Sequence, residues 1–326
     1  MQDTMPLKDM ETYTGQNDPP KDFDEFWDNN IKQLSTTYNY KLTPQNFNLP
    51  MVNCFELTFE GTNGASIYAK CIFPKSDTAV PVVFNFHGYM GQSSDWSTLL
   101  QFPAAGLGIV AMDTRGQSGK STDGKSFRGN TVKGQVIRGA IDGKDNLFFK
   151  DVYLDVYQLV EIISEQSFVD ENKLYSYGGS QGGALSLVAA ALNPRITSTV
   201  AIYPFLSDFK RILELGDQSE PYDEFFRYFK FSDPFHRTEQ EILNTLSYID
   251  IKNMAHRIKG KVKLITGLED NVCFPSTQFA IYNRLNCPKE HLIMPEYGHE
   301  DMHVHVNDYV MNWLSGSTIN IRTQMH

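Results

Sequence analysis

The chain of 326 residues has little cysteine, with four, and little tryptophan, with three. Cys54, Cys71, Cys273 and Cys287 are scattered without CxxC spacing and sit inside or beside apolar runs. This excludes a disulfide framework and a zinc knuckle and suits reduced, buried thiols. A basic block is also missing: 29 Lys and Arg stand against 39 Asp and Glu, a net charge of −10. Phosphate contacts need clustered Lys and Arg, so a nucleic-acid partner is excluded and a neutral or small-molecule substrate is favoured. Met1-Gln2-Asp3-Thr4-Met5-Pro6 lacks the basic-then-apolar pattern of a signal peptide, and no transmembrane span is visible. The expectation is a cytoplasmic protein without a membrane association. Internal repeats and low-complexity tracts do not stand out.

What is present reads as one α/β domain, residues 1–326, with additions. Alternation in Phe55-Glu56-Leu57-Thr58-Phe59 and Ile67-Tyr68-Ala69-Lys70-Cys71-Ile72 predicts an antiparallel pair at the sheet edge, turning at Gly61 to Gly64. Five short apolar runs follow, at 82–86, 108–112, 174–177, 199–202 and 262–265, as expected of strands covered on both faces. Helix-length amphipathic stretches, 152–163 and 183–192, lie between them. The order is that of a mostly parallel sheet covered by helices on both faces. Residues 1–50 read as an N-terminal extension with a helix beginning after Pro19-Pro20. Residues 205–258, rich in phenylalanine and interrupted by Pro221 and Pro234, read as a helical insertion, either a cap or an oligomer contact.

Gly178-Gly179-Ser180-Gln181-Gly182 matches G-x-S-x-G and lies between a predicted strand and a helix-forming run. That is the setting of a nucleophile elbow, where small neighbours tolerate a strained serine. A serine hydroxyl needs an imidazole as base and a carboxylate to set the imidazole tautomer. In this fold both follow the serine, carboxylate first. Glu269-Asp270 lies after the strand at 262–266, and His299 lies in a Gly-containing turn after Leu292-Ile293-Met294. Of the eight histidines only His299 occupies such a place. Backbone donors for an oxyanion are expected from Gln181 and from Tyr89 in His87-Gly88-Tyr89-Met90-Gly91.

These residues resemble carbohydrate esterase family 7, the acetyl xylan esterases and cephalosporin C deacetylases. Arg115-Gly116-Gln117, Gly178-Gly179-Ser180-Gln181-Gly182-Gly183 and His299-Glu300 look like that family's RGQ, GGSQGG and HE signatures, in the same order. The likeness runs from Asp22-Phe23-Asp24-Glu25-Phe26-Trp27 to Asp270-Asn271-Val272-Cys273-Phe274-Pro275-Ser276-Thr277. It implies an α/β-hydrolase fold and a serine esterase that removes acetyl groups from sugars, xylo-oligosaccharides or cephalosporin C-type esters. It selects Asp270 over Glu269 as the acid, beside Ser180 as nucleophile, His299 as base and Tyr89 with Gln181 as oxyanion donors. It implies no cofactor, no metal and a homohexamer. Cys273-Phe274 departs from the Pro-rich or small residues expected there. Arg115 and Gln117 have two readings, substrate or oxyanion support and structural bracing; bracing suits a planar guanidinium.

Rival readings are a general short-chain carboxylesterase, a serine peptidase of the same fold and a non-catalytic binding protein. His299-Glu300-Asp301-Met302-His303 also spells the zinc string H-E-x-x-H, but Pro295 and Gly298 precede it and no later Glu is available as third ligand. Gly119-Lys120-Ser121 looks like the end of a phosphate-binding loop, yet Thr114 stands where the earlier glycine is required.

Overall fold

The computed structural model describes residues 3–125, 135–216, 220–302 and 304–316. Among the described residues nine strands form one sheet: β1 (Tyr40–Gln45), β2 (Val52–Glu60), β3 (Ser66–Pro74), β4 (Val80–Phe86), β5 (Gly108–Met112), β6 (Val169–Gly179), β7 (Ile196–Ile202), β8 (Lys261–Gly267) and β9 (Lys289–Met294). Their spatial order is β1-β2-β3-β5-β4-β6-β7-β8-β9. Pairing is antiparallel from β1 through β3 to β5 and parallel from β5 to β9. An antiparallel start, a reversal of order at β4 and β5 and helical crossovers beyond constitute the α/β-hydrolase fold.

The expected antiparallel pair is β2 and β3, with Phe55 opposite Cys71. It is not the sheet edge, because β1 lies outside it. The edge strand was hidden by Pro44 and by a largely solvent-exposed pattern, both of which are tolerated only where one side of the strand has no partner. Within the parallel part, side chains divide by the period-two rule. Val82, Phe84, Phe86, Val110 and Met112 enter a core with the helices Phe148–Ser164 and Gln181–Leu192. Val83, Ile109 and Ala111 enter a second core with Leu99, Phe102, Val310 and Leu314. Both faces are therefore covered, which is why these strands read as continuous apolar runs. Among the described residues no helix is long and apolar enough to cross a membrane.

Between β7 and β8 the chain forms the helices Phe209–Leu215, Asp223–Phe231, Glu239–Leu246 and Ile251–Met254. The N-terminal helix Phe23–Lys32 packs against this region. Trp27 is fully buried and donates its indole N–H to the Tyr248 carbonyl at 3.0 Å, while Phe26 packs on the Tyr248 ring at 4.7 Å. Asp22, which precedes the helix, gives its carboxylate to Lys144 and Tyr248 instead of capping the helix. Farther upstream Tyr13 donates to Asp208 at 2.6 Å and Arg211 pairs with Asp3 at 2.9 Å.

Arg115, just past β5, is 1% exposed. Its Nε and Nη2 donate to the two oxygens of Asp155 at 2.6 Å each, and Nη2 and Nη1 reach Thr62 Oγ1 and O at 3.0 and 3.2 Å. Burial opposes the guanidinium charge, but Asp155, joined by Asp151 and Asp123, outweighs it and holds Arg115 above its ordinary pKa. The fork ties the β5 loop and the β2–β3 turn to the helix Phe148–Ser164. Arg115→Met would leave Asp155 buried beside no countercharge and is expected to cost about 3–5 kcal/mol in denaturant unfolding.

His291, on β9, packs between Phe279 and Tyr282 with ring centroids 4.6 and 4.4 Å away and hydrogen-bonds Thr266 Oγ1 at 2.8 Å. Burial, with the nearby Lys289 charge, pushes its pKa down from 6.5 to about 4. The unfolded chain then binds a proton before the folded one, so this group's contribution is full above pH 6.5 and is lost as pH falls toward 4. The slope from this one group is at most about 1.4 kcal/mol per pH unit. The urea midpoint of wild type is expected to fall relative to that of His291→Gln as pH is lowered from 7 to 4.5, and a gap that does not change with pH would overturn the assignment.

Candidate active site

The central strand β6 ends at Gly179 and the helix Gln181–Leu192 begins one residue beyond Ser180. Ser180 itself has φ 57° and ψ −121°, a strained conformation for a residue with a side chain. The turn is held from outside. Ser180 N–H donates to Ile202 O at 2.9 Å, and Ser180 O accepts from Ala184 N at 3.0 Å and Phe205 N at 3.1 Å. Glycine is obligatory beside it: a Cβ on Gly182 would overlap the Phe86 carbonyl oxygen, and one on Gly178 would stand 2.5 Å from the Gly182 carbonyl carbon.

Asp270 follows β8 and is buried, whereas Glu269 is exposed. Its Oδ1 accepts the N–H groups of Val272 and Cys273 at 2.9 and 2.8 Å. Its Oδ2 lies 3.0 Å from His299 Nδ1 and 3.4 Å from Gln278 Nε2. A carboxylate facing Nδ1 places the imidazole proton there and leaves the lone pair on Nε2. The Tyr203 ring, centroid 4.7 Å away, supports the imidazole from one side. Ser180 and His299 line one cavity of about 1010 Å³, together with Tyr89, Tyr203, Pro221 and Asp301. Among the described residues Ser180 Oγ has no hydrogen bond to His299; it has a 4.0 Å contact with Cys273 Sγ.

Tyr89 stands in a turn closed by Gly91 N–H to Gly88 O at 3.1 Å, and Gln181 is the first residue of its helix, where no intrahelical acceptor exists for its N–H. His87 anchors the Tyr89 loop. Its Nε2 accepts from Thr114 N–H at 2.9 Å, so Nδ1 carries the proton and donates to Gly88 O at 2.7 Å. Burial holds its pKa below the ordinary value, in keeping with a neutral ring.

The buried Gln181 amide forms a reciprocal pair with Gln117, at 2.7 and 3.0 Å, and Gln117 also donates to Gln135 at 2.8 Å. This pins the first turn of the helix to the loop after β5. Arg115 does not line the cavity; its partners are Asp155 and Thr62.

Sequence reasoning missed several cavity residues. Tyr203 directly follows β7, and the rule that ligands bind at the carboxyl ends of parallel strands would have found it. Gln278, Glu220 and Asn307 carry no comparable signal, since only folding brings them to the site. The zinc string does not form: residues 299–302 precede the helix Val306–Ser315, and His299 turns to Asp270, while His303 lies outside the described residues. The phosphate-loop string is also spent otherwise, with Lys120 paired to Glu56 at 2.7 Å and Ser121 donating to Asp113 O at 2.6 Å.

The geometry can be set beside known proteins. Acetyl xylan esterase 1 from Thermoanaerobacterium sp. JW/SL YS485 superposes with a TM-score of 0.93 at 43% identity, over 96% of this chain and 98% of that one. An acetyl xylan esterase from Paenibacillus sp. R4 gives 0.89 at 34% identity, over 96% and 99%. Acetyl esterase Axe7A of Xylanibacter ruminicola is 31% identical over 287 residues, 85% of this chain, which spans 62% of that protein's length. The family model described as acetyl xylan esterase (AXE1) matches residues 1–317, and the chain belongs to that family of carboxylic ester hydrolases.

Proposed function

We propose that the protein is a serine acetylesterase in which Ser180 is the nucleophile, His299 the base and Asp270 the residue that orients the base. The observation that carries this reading is the strained Ser180 turn opening on the same cavity as an imidazole whose Nδ1 faces a buried carboxylate. His299 Nε2 takes the Ser180 proton as Oγ attacks the acetyl carbonyl. The N–H groups of Tyr89 and Gln181 hold the oxyanion, the alcohol leaves with the proton from His299, and water clears the acetyl-serine. A bond between Oγ and Nε2 that closes only with substrate in place is common in such sites. The Gln117–Gln181 pair keeps the helix N-terminus, and with it one oxyanion donor, in position.

Acetylated sugars, xylo-oligosaccharides and cephalosporin C-type esters are the substrates we propose. The relatives' names support the acetyl group. A cavity of about 1010 Å³ has room for a sugar as leaving group, and Glu220, Asp301 and Asn307 offer polar partners for its hydroxyls. Glu220 and Pro221, from the 205–258 insertion, line that cavity, which supports the cap reading of the segment. The homohexamer implied by family resemblance belongs to the same proposal; Phe231 and Phe235, 66% and 74% exposed on the insertion, are apolar side chains an interface would cover.

Ser180→Ala is expected to lower kcat by at least about a thousandfold with an unchanged unfolding midpoint; retained turnover would remove the nucleophile assignment. The ratio of kcat/KM on p-nitrophenyl acetate to that on p-nitrophenyl octanoate tests the acyl group. A strong preference for acetate is expected, and preference for octanoate would turn the reading to a general carboxylesterase.

A further inference from the structure

The reaction just described uses no thiol, yet Cys273 places one at its centre. The sulfur is buried and 4.0 Å from Ser180 Oγ. One ligating atom from each of Asp270, Cys273 and His299 lies within 4.8 Å of the other two, and among the described residues no other three such side chains come this close. A carboxylate oxygen, an imidazole nitrogen and a sulfur suit borderline-soft divalent ions such as Zn²⁺, whereas Mg²⁺ and Ca²⁺ need all-oxygen sites. Zinc bonds of about 2.3 Å to sulfur and 2.0 Å to nitrogen put tetrahedral ligands roughly 3.5 Å apart. Asp270 Oδ2 and His299 Nδ1, 3.0 Å apart, already stand near that spacing, so what remains is an approach of at most about 1 Å between the sulfur and this pair, within reach of a small rotation of the Cys273 side chain.

We propose that the active site doubles as an inhibitory site for borderline-soft divalent cations, Zn²⁺ foremost, held by Asp270 Oδ2, Cys273 Sγ and His299 Nδ1. The consequence for catalysis rests on the assignment of His299 as base. The ion enters through the cavity, and Ser180 Oγ or water supplies the fourth ligand. On binding, the Cys273 thiol loses its proton to solvent and the His299 proton passes from Nδ1 to Nε2, so one proton is released per ion. Nε2, the atom that must accept the serine proton, is then already protonated, and turnover stops. Asp270 stays oriented throughout, because its Oδ1 keeps the Val272 and Cys273 N–H bonds. Without an ion, burial and the Asp270 charge push the Cys273 pKa well up, so the thiol stays neutral and does not compete with Ser180 as nucleophile. A coordinating divalent ion reverses that by deprotonating it outright.

Co²⁺ is the probe, because a cobalt–thiolate bond gives a near-ultraviolet charge-transfer band whether or not the protein turns over an ester. Titration of the full chain is expected to saturate that band at one equivalent, with Zn²⁺ abolishing it. Cys273→Ala and Cys273→Ser, two variants in case one fails to fold, are expected to show no band. Each is also expected to require at least tenfold more Zn²⁺ for half-inhibition of its own metal-free rate on p-nitrophenyl acetate, with Mg²⁺ inert throughout. A band that persists in folded Cys273 variants, no band in wild type, or equal Zn²⁺ sensitivity would overturn the site. A cobalt band in a protein that hydrolyses no ester would instead count against the esterase reading alone.

Discussion

The structure depends on a single crowded turn. At Ser180 the central strand of the sheet passes into a helix with no residue to spare, and the helix packs so near β4 that Gly182 meets the Phe86 carbonyl. Such an approach is open only to glycine, and it forces Ser180 into a backbone region costing on the order of 1–3 kcal/mol. The neighbours supply the compensation through the hydrogen bonds from Ser180 to Ile202 and from Phe205 to Ser180. Strain at this point is what lifts the hydroxyl out of the sheet and into the cavity.

Around that turn the polar groups act in pairs, each orienting the next. Two backbone N–H groups aim the Asp270 carboxylate, and Asp270 aims the His299 ring. Gln117 holds Gln181, and His87 holds the loop of Tyr89. Arg115 does the same work at longer range, locking the β5 loop to the helix Phe148–Ser164 through Asp155. Since buried polar groups are costly unless partnered, each pair stabilises its neighbours only while it stays complete.

Cys273 sits differently in this scheme. Its N–H belongs to the set that orients Asp270, but its sulfur faces Ser180 and answers to no step of ester hydrolysis. A segment that must bend sharply to direct the Val272 and Cys273 N–H groups at one carboxylate leaves little choice about where the Cys273 side chain, just beyond the second of them, points. The thiol is therefore carried into the site by the geometry of the loop.

The order of apolar runs and helices, the G-x-S-x-G turn and the two later loops could be read from the chain, because periodicity and glycine spacing are local properties. So could the helix after Pro19-Pro20, which forms at Phe23–Lys32. The strand Tyr40–Gln45 could not, since an edge strand with a proline has no distinctive pattern until a partner lies beside it. Nor could the pairing of Arg115 with Asp155, 40 residues away, or the approach of Glu220 and Pro221 to the cavity wall. The meeting of Gln278 and Cys273 with Asp270 and Ser180 depends on how the loop after β8 folds back over the sheet. Sequence by itself determined which groups are present and the order in which strands present them. Tertiary structure alone decided which side chains meet, because contacts across the sheet depend on packing between segments that carry no record of one another.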